Sequence, residues 1–135
     1  MPPDRDAEIA RRLRAGFDAF NRGAFDEAAA MMHPDVEYVG VGDQAPIAGR
    51  DALRAWMEPN AWASQAIEPL ETTVAGRKVL MRVRTTARGA GSGIEMEAET
   101  WLALTVDDDL LVTRFQTYFI HEEEDARREA GVGDP

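Results

Sequence analysis

Acidic, basic and aromatic side chains recur at every second position of the last two predicted strands, and this combination of groups suits acid–base chemistry. Glu99 and Trp101 share one face of a strand, and Arg114, Gln116 and Tyr118 share one face of the next, because successive strand residues point to opposite sides. In a cavity shielded from water, Glu99 would serve as a general base, while Arg114 and Tyr118 would stabilise developing negative charge. The same residues also suit a structural role, in which Glu99 and Arg114 form a pair that fixes the shape of the pocket.

Helices and strands must position this row of residues, and the first elements of the chain are helices. Apolar residues at spacings of three and four predict an amphipathic first helix over Ala7–Arg22. An Asn-Arg-Gly sequence at 21–23 is a helix-end and turn signal. Further helices are predicted over Ala24–Met32, from Asp51 to about Trp62, and over Glu122–Ala130.

The strands follow a different periodicity. A first strand is predicted over Val36–Val41, and a period of two predicts four more over Ile67–Val74, Lys78–Arg88, Ile94–Val106 and Leu110–Ile120. The short connections between these four strands indicate an antiparallel meander. The order of elements therefore predicts one α+β domain over residues 1–135, with an ordered core at about 7–130 and helices on one face of the sheet.

Composition narrows the classes of partner. The chain has 135 residues, no cysteine, and a formal net charge of −10. An acidic balance argues against nucleic acid or an anionic membrane as partner, since both attract a basic face. The N-terminus is polar and no apolar run approaches the length of a membrane span. We expect a cytoplasmic protein.

Several short motifs, taken in order, carry a family resemblance. Phe-Asn-Arg-Gly at 20–23, His-Pro-Asp-Val-Glu at 33–37, Gly-Arg-Asp-Ala-Leu at 49–53 and the segment from Arg114 to Tyr118 resemble the SnoaL-like branch of the nuclear transport factor 2-like superfamily. The resemblance implies a cystatin-like α+β cone, in which a curved antiparallel sheet wraps around N-terminal helices and one pocket. It also implies a small apolar ligand with one polar anchor, and isomerase, cyclase or hydratase chemistry without a cofactor or metal.

The two faces of the meander differ, and two interpretations follow. One face is largely apolar, so apolarity alone places it against the helices and leaves the charged row in water. The resemblance implies the reverse, with the row that ends at Tyr118 lining the cavity and the apolar face forming a homodimer through the outer side of the sheet. We adopt the second interpretation, which predicts a cavity lined by Tyr38, Trp56, Trp62, Glu99, Trp101, Arg114, Gln116 and Tyr118.

The same resemblance argues against the best-known reactions. Ketosteroid isomerases use an aspartate at the end of the first strand, where this chain has Tyr38. They also use a helix tyrosine, where Gly16 or Phe17 stands here, and a second acid, where Trp101 stands. The Asp–Arg–Asp set of limonene-epoxide-hydrolase-like proteins and the terminal acid of SnoaL-type cyclases have no equivalent in the matching segments. Ketosteroid isomerase activity is therefore not expected.

Two hypotheses remain. In the first, the chain is a dimeric small-molecule pocket protein in which Glu99, Arg114 and Tyr118 catalyse cofactor-free chemistry or anchor the ligand. In the second, it is a non-catalytic binding or assembly module that uses the outer face of its sheet. The face of the sheet that points into the cone separates the two.

Overall fold

The structure, a computed structural model, describes residues 4–42, 45–57, 62–89 and 91–133, with the backbone alone at 62–64. Its helices are α1 (Arg5–Asn21), α2 (Phe25–Ala29), α3 (Arg50–Met57) and α4 (Glu123–Ala130), the last preceded by a 3-10 turn, Ile120–Glu122. The Asp4 side chain caps α1 by accepting hydrogen bonds from two backbone N–H groups of the first turn. None of the helices in these ranges is long and apolar enough to cross a membrane.

Helix α1 ends where the sequence predicts. Gly23 follows it with a φ of 77°, a left-handed conformation that glycine adopts without steric cost. The Asn21 side chain then ties this corner to the sheet: its Nδ2 donates to the Ile67 carbonyl at 2.9 Å, and its Oδ1 accepts from the Ile67 N–H at 2.7 Å. This pair of hydrogen bonds fixes α1 across the sheet.

The described strands form one six-stranded sheet. In chain order they are β1 (Met32–Val39), β2 (Ile47–Ala48), β3 (Trp62–Ala75), β4 (Lys78–Gly89), β5 (Glu95–Val106) and β6 (Val112–Phe119). Their order across the sheet is β2-β1-β6-β5-β4-β3. Neighbouring strands are antiparallel except β1 and β6, which run parallel. The predicted meander is therefore present as β3 to β6, and β1 extends it on the far side of β6.

The main core lies between α1, α2 and α3 and one face of the sheet. This face carries the apolar rows of β4, β5 and β6, including Met81, Val83, Leu102, Leu104 and Phe115, all of which are buried. Burial of such side chains stabilises the fold by about 1.5–3 kcal/mol each before entropic costs. The apolar face therefore points into the cone.

Helix α4 packs on the opposite face of the sheet. Ala126 and Ala130 cover Trp101 and Leu80 there, in a second, smaller core cluster. The predicted α+β cone is thus confirmed, while the expectation that all helices lie on one face is wrong for α4. Its small alanine face lets the helix approach closely and bury aromatic surface that would otherwise contact water.

Candidate functional site

An internal cavity of about 310 Å³ lies between the helices and the inner face of the sheet. Its volume falls within the range of small-molecule pockets. Most of its lining is apolar and comes from all three helices of the inner layer, from the segment after β1, and from the sheet. These residues are Gly16, Phe17, Phe20, Ala28, Met31, Met32, Val41, Leu53, Trp56, Met57, Ile67, Val83, Leu102 and Phe115. Trp56 is 52% exposed, so it joins the lining to the protein surface.

Five polar side chains complete the lining, and none of them carries a charge at neutral pH: Tyr38, Gln65, Thr85, Thr100 and Thr117. We use the term polar stripe for four of these residues, which come from four neighbouring strands: Thr117 on β6, Thr100 on β5, Thr85 on β4 and Gln65 on β3. Thr117 lies opposite Leu102, two residues from Thr100, while Thr100 lies opposite Val83, two residues from Thr85. Gln65 continues the same diagonal on β3, two residues from the partner of Thr85.

Tyr38 is the aromatic and polar centre of one wall. Its ring contacts the rings of Trp56 and Phe115, with centroids 4.9 Å and 5.3 Å away, distances typical of favourable aromatic pairs. Burial raises the pKa of the Tyr38 hydroxyl, and the nearby Thr117 side chain lowers it by a smaller amount. The hydroxyl therefore stays protonated at neutral pH and acts as a hydrogen-bond donor.

Thr117, next to Tyr38, carries a hydroxyl that the folded chain leaves poorly paired. Its Oγ1 is shielded from solvent and makes no well-formed hydrogen bond to any residue within the described ranges. An unpaired buried hydroxyl costs about 1–3 kcal/mol. A ligand oxygen or a small rotation of Tyr38 would remove that cost, so this corner favours a polar group.

Gly16 leaves room for the Met31 side chain on the helix side of the cavity. A Cβ atom at this position would overlap the sulfur of Met31, so the thioether occupies the place that any larger side chain on α1 would take. Gly16 or Phe17 stands where the family resemblance sets the helix tyrosine of the isomerases. The helix wall here offers a polarizable sulfur in place of a hydroxyl donor.

The charged row lies on the other face of the sheet, and the prediction that it lines the cavity is wrong. Glu99 pairs with Arg82, which also bonds Glu71 at 2.9 Å. Arg114 contacts Glu37 at 3.3 Å and donates to Gln116 at 2.9 Å. The physical reason is the larger apolar area of the opposite rows, whose burial outweighs surface ion pairs worth about 1 kcal/mol or less.

The remaining predicted residues divide between the two faces. Tyr38 and Trp56 lie in the cavity lining. Trp101 is buried under α4, with the Arg127 guanidinium 5.7 Å from its ring centroid, and Tyr118 packs at the edge of the same cluster. The side chain of Trp62 lies outside the described residues. No catalytic row of glutamate, arginine and tyrosine therefore faces the interior at these positions.

The charged composition of the outer face contradicts the argument on which the homodimer contact was predicted. That expectation rested on an apolar outer surface, whereas β3, β4 and β5 present Arg–Glu pairs there, including Arg84 with Glu68 and Glu97. A dimer remains a prediction without this support.

The polar stripe was not predicted from the sequence, because the prediction rested on charged groups and the row that contains the stripe is mostly apolar. The signal was available: Thr85, Thr100 and Thr117 interrupt rows of mostly apolar inward residues on three consecutive strands.

Within the described ranges, no group of three histidine, aspartate or glutamate side chains is placed to hold a metal ion.

The cone, its internal cavity and the helix-then-sheet order define a class of α+β pocket proteins. A model of the SnoaL-like domain matches residues 13–118 of the chain, which is most of its length. The chain belongs to this family, as the sequence motifs indicated. A search of the curated proteins found no match.

Solved structures show the same fold at low identity. A proposed polyketide cyclase from Xanthomonas campestris pv. campestris is 18% identical with a TM-score of 0.76, over 90% of this chain and 96% of that one. A Mycobacterium tuberculosis protein in complex with estradiol-17beta-hemisuccinate is 15% identical with a TM-score of 0.74, over 84% and 95%. An LEH-like epoxide hydrolase from M. tuberculosis is 16% identical with a TM-score of 0.72, over 92% of this chain and 85% of that one. At these identities the likeness establishes the fold alone.

Proposed function

We propose that this protein binds a small, largely apolar molecule inside the cone, with Tyr38 as its polar anchor. The observation that carries the proposal is the cavity of about 310 Å³, whose described lining is apolar apart from five neutral side chains. Such a site gains affinity from apolar burial and orientation from a few hydrogen bonds. The raised pKa of Tyr38 keeps its hydroxyl available as a donor.

Two relatives by fold support a small-molecule role. One of the two M. tuberculosis proteins was solved in complex with estradiol-17beta-hemisuccinate. TerC, another protein with this fold, was co-crystallised with polyporic acid. The feature of both ligands that bears on this chain is the ring system, which aromatic walls accommodate. Their acidic groups have no counter-charge among the described lining residues of this cavity.

Catalysis is the second candidate function, as cofactor-free isomerase, cyclase or hydratase chemistry. Its support is a partly buried, protonated Tyr38 that would donate a proton or hydrogen bond to a substrate oxygen. A proposed cyclase and an epoxide hydrolase also occur among the relatives by fold. Proton abstraction from carbon also needs a base, and none of the described lining residues has a carboxylate or imidazole. Binding is therefore the function that the site favours.

A thermal-shift screen with small apolar ketones, lactones and amides tests binding. A ligand at 100 times its dissociation constant adds about 2.7 kcal/mol of stability, which raises the melting temperature by several degrees. Thr85→Phe fills the cavity from the inner face of β4 and should abolish this shift. Thr86→Phe adds the same ring to the exposed outer face and should preserve it.

Two results would contradict the proposal. One is a screen in which no compound raises the melting temperature. The other is a shift of equal size in Thr85→Phe and in the parent protein, since binding would then occur outside the cavity. For the catalytic candidate, a compound that binds should exchange its acidic C–H protons for deuterium in D₂O, measured by NMR. An unchanged exchange rate in Tyr38→Phe would remove Tyr38 from any catalytic role.

A further inference from the structure

The cavity selects its ligand by charge as well as by shape. The described lining contains aromatic, aliphatic, thioether, hydroxyl and amide groups, with no ammonium, guanidinium or carboxylate among them. An ion that enters such a site loses part of its hydration and finds no counter-charge among the described lining residues. The chain as a whole carries a net charge of −10, which further disfavours the approach of an anion.

The volume sets the size of the ligand. A cavity of about 150 Å³ holds one benzene ring, and the cavity here, at about 310 Å³, is about twice as large. A compact skeleton of two fused rings therefore fits. The neighbouring rings of Tyr38, Trp56 and Phe115 provide a wall for a flat molecule.

The polar stripe sets the orientation of the ligand. It begins at Thr117, beside the Tyr38 hydroxyl, and crosses the inner face through Thr100 and Thr85 toward Gln65, with diagonal steps of roughly 7–8 Å. The opposite wall, on the helices, is apolar and includes Met31 against Gly16. A bound molecule therefore meets hydrogen-bonding groups along its sheet side and apolar groups on its helix side.

We propose that the ligand is an uncharged fused-ring compound whose oxygen groups lie along one edge, with a carbonyl bonded by Tyr38, and that the site rejects the corresponding anion. This inference rests on the proposed binding function and names the chemical class that the site accepts. Carboxylates of the same shape are excluded because the polar stripe donates hydrogen bonds without supplying positive charge.

A series of naphthalene derivatives tests the inference by isothermal titration calorimetry at pH 7.5. 2-Naphthamide and 2-naphthoate have nearly the same shape and differ in charge, while naphthalene lacks the polar group. We expect the amide to bind at least about 100-fold more tightly than the carboxylate, because the charge stays unpaired in the site. We expect the amide to bind about tenfold more tightly than naphthalene, and Tyr38→Phe to remove that advantage.

A gain-of-function variant provides an independent test. Gln65→Lys places a cation at the end of the polar stripe with little change in volume, and should strengthen 2-naphthoate binding by tenfold or more. Thr86→Lys changes the net charge of the chain equally but lies on the outer face, so it should leave 2-naphthoate binding weak.

The outcomes separate the inference from the function on which it rests. If none of the three compounds binds, the proposed binding function fails. If 2-naphthoate binds as tightly as 2-naphthamide, or if a (2-naphthyl)trimethylammonium ion binds more tightly than either, charge selection is overturned while the pocket stands. If naphthalene matches 2-naphthamide in the parent protein, the anchoring role of Tyr38 is overturned.

Discussion

Replacing Gly16 of α1 by alanine has two opposing effects on the free energy of unfolding. Alanine in a helix interior is more favourable than glycine by about 0.8–1.0 kcal/mol. The added methyl group, however, overlaps the Met31 sulfur, and overpacking in a core costs about 1–3 kcal/mol. The clash involves the flexible end of a side chain beside an open cavity, so the lower part of that range applies. The free energy of unfolding should therefore change by less than about 1 kcal/mol.

Ligand binding should change far more than stability. The Met31 side chain borders both the cavity and a groove on the outer side of α1. Where its displaced end turns into the cavity, it occupies room that a ligand needs. A difference of one methylene in an apolar pocket alters affinity by about 10- to 200-fold. We expect Gly16→Ala to weaken 2-naphthamide binding by at least tenfold, measured by calorimetry, with urea unfolding recorded on the same protein.

The double variant Gly16→Ala/Met31→Ala is the matched control. Shortening Met31 removes the overlap, so the double variant should recover most of the affinity even though the loss of a large side chain lowers its stability. If Gly16→Ala lost more than about 2 kcal/mol of stability and bound the ligand normally, Met31 would not have moved into the cavity. That result would refute the account of this wall.

Three further predictions concern the anchor, the helix–sheet tie and the outer face. The folded-state pKa of Tyr38 is raised. The contribution of Tyr38 to the free energy of unfolding is therefore fully present below the unfolded-state pKa of about 10. It is lost as the pH rises above that value, by up to about 1.36 kcal/mol per pH unit. Urea unfolding from pH 8 to 11.5 should show a smaller alkaline loss for Tyr38→Phe, and parallel curves would contradict this. Asn21→Ala should cost about 0.5–1.5 kcal/mol in urea unfolding, the ordinary net value of a lost hydrogen bond, because the two Ile67 backbone groups are exposed enough for water to replace Asn21. Asn21→Asp keeps the acceptor and should cost less. Glu99→Gln should change stability by less than about 1 kcal/mol and leave calorimetric ligand affinity unaltered; loss of binding would place Glu99 in the site after all.

The sequence predicted the fold well because its determinants are local. Alternating apolar residues in β4 and β5 and the turns at 75–77 and 107–109 specify the meander, and Gly23 ends α1 near the predicted residue. The boundary between α2 and β1 was less predictable. Met31 and Met32 continue a helical pattern, but Met32 pairs with Val112 of β6, so a partner distant in sequence converts these residues to strand structure.

The candidate site was predicted only in part, for a physical reason. Alternation divides a strand into two faces but does not say which face is buried, and the family resemblance favoured the charged row. Trp101 illustrates the difficulty: it is 4% exposed, as a cavity residue would be, but Ala126 and Ala130 of α4 cover it from outside. The sequence of α4 begins with a run of acidic residues and gives little indication that its alanines cover an aromatic ring.

The parallel pairing of β1 with β6 has a consequence for how the protein acquires its pocket. Tyr38 lies beside Phe115 through this pairing, although one residue is in the first third of the chain and the other is near its end. Contacts so distant in sequence are slow to form, because the intervening loop must be closed first. A nascent chain that ends before β6 has no complete aromatic wall, so ligand affinity would appear only in the last stage of synthesis and folding.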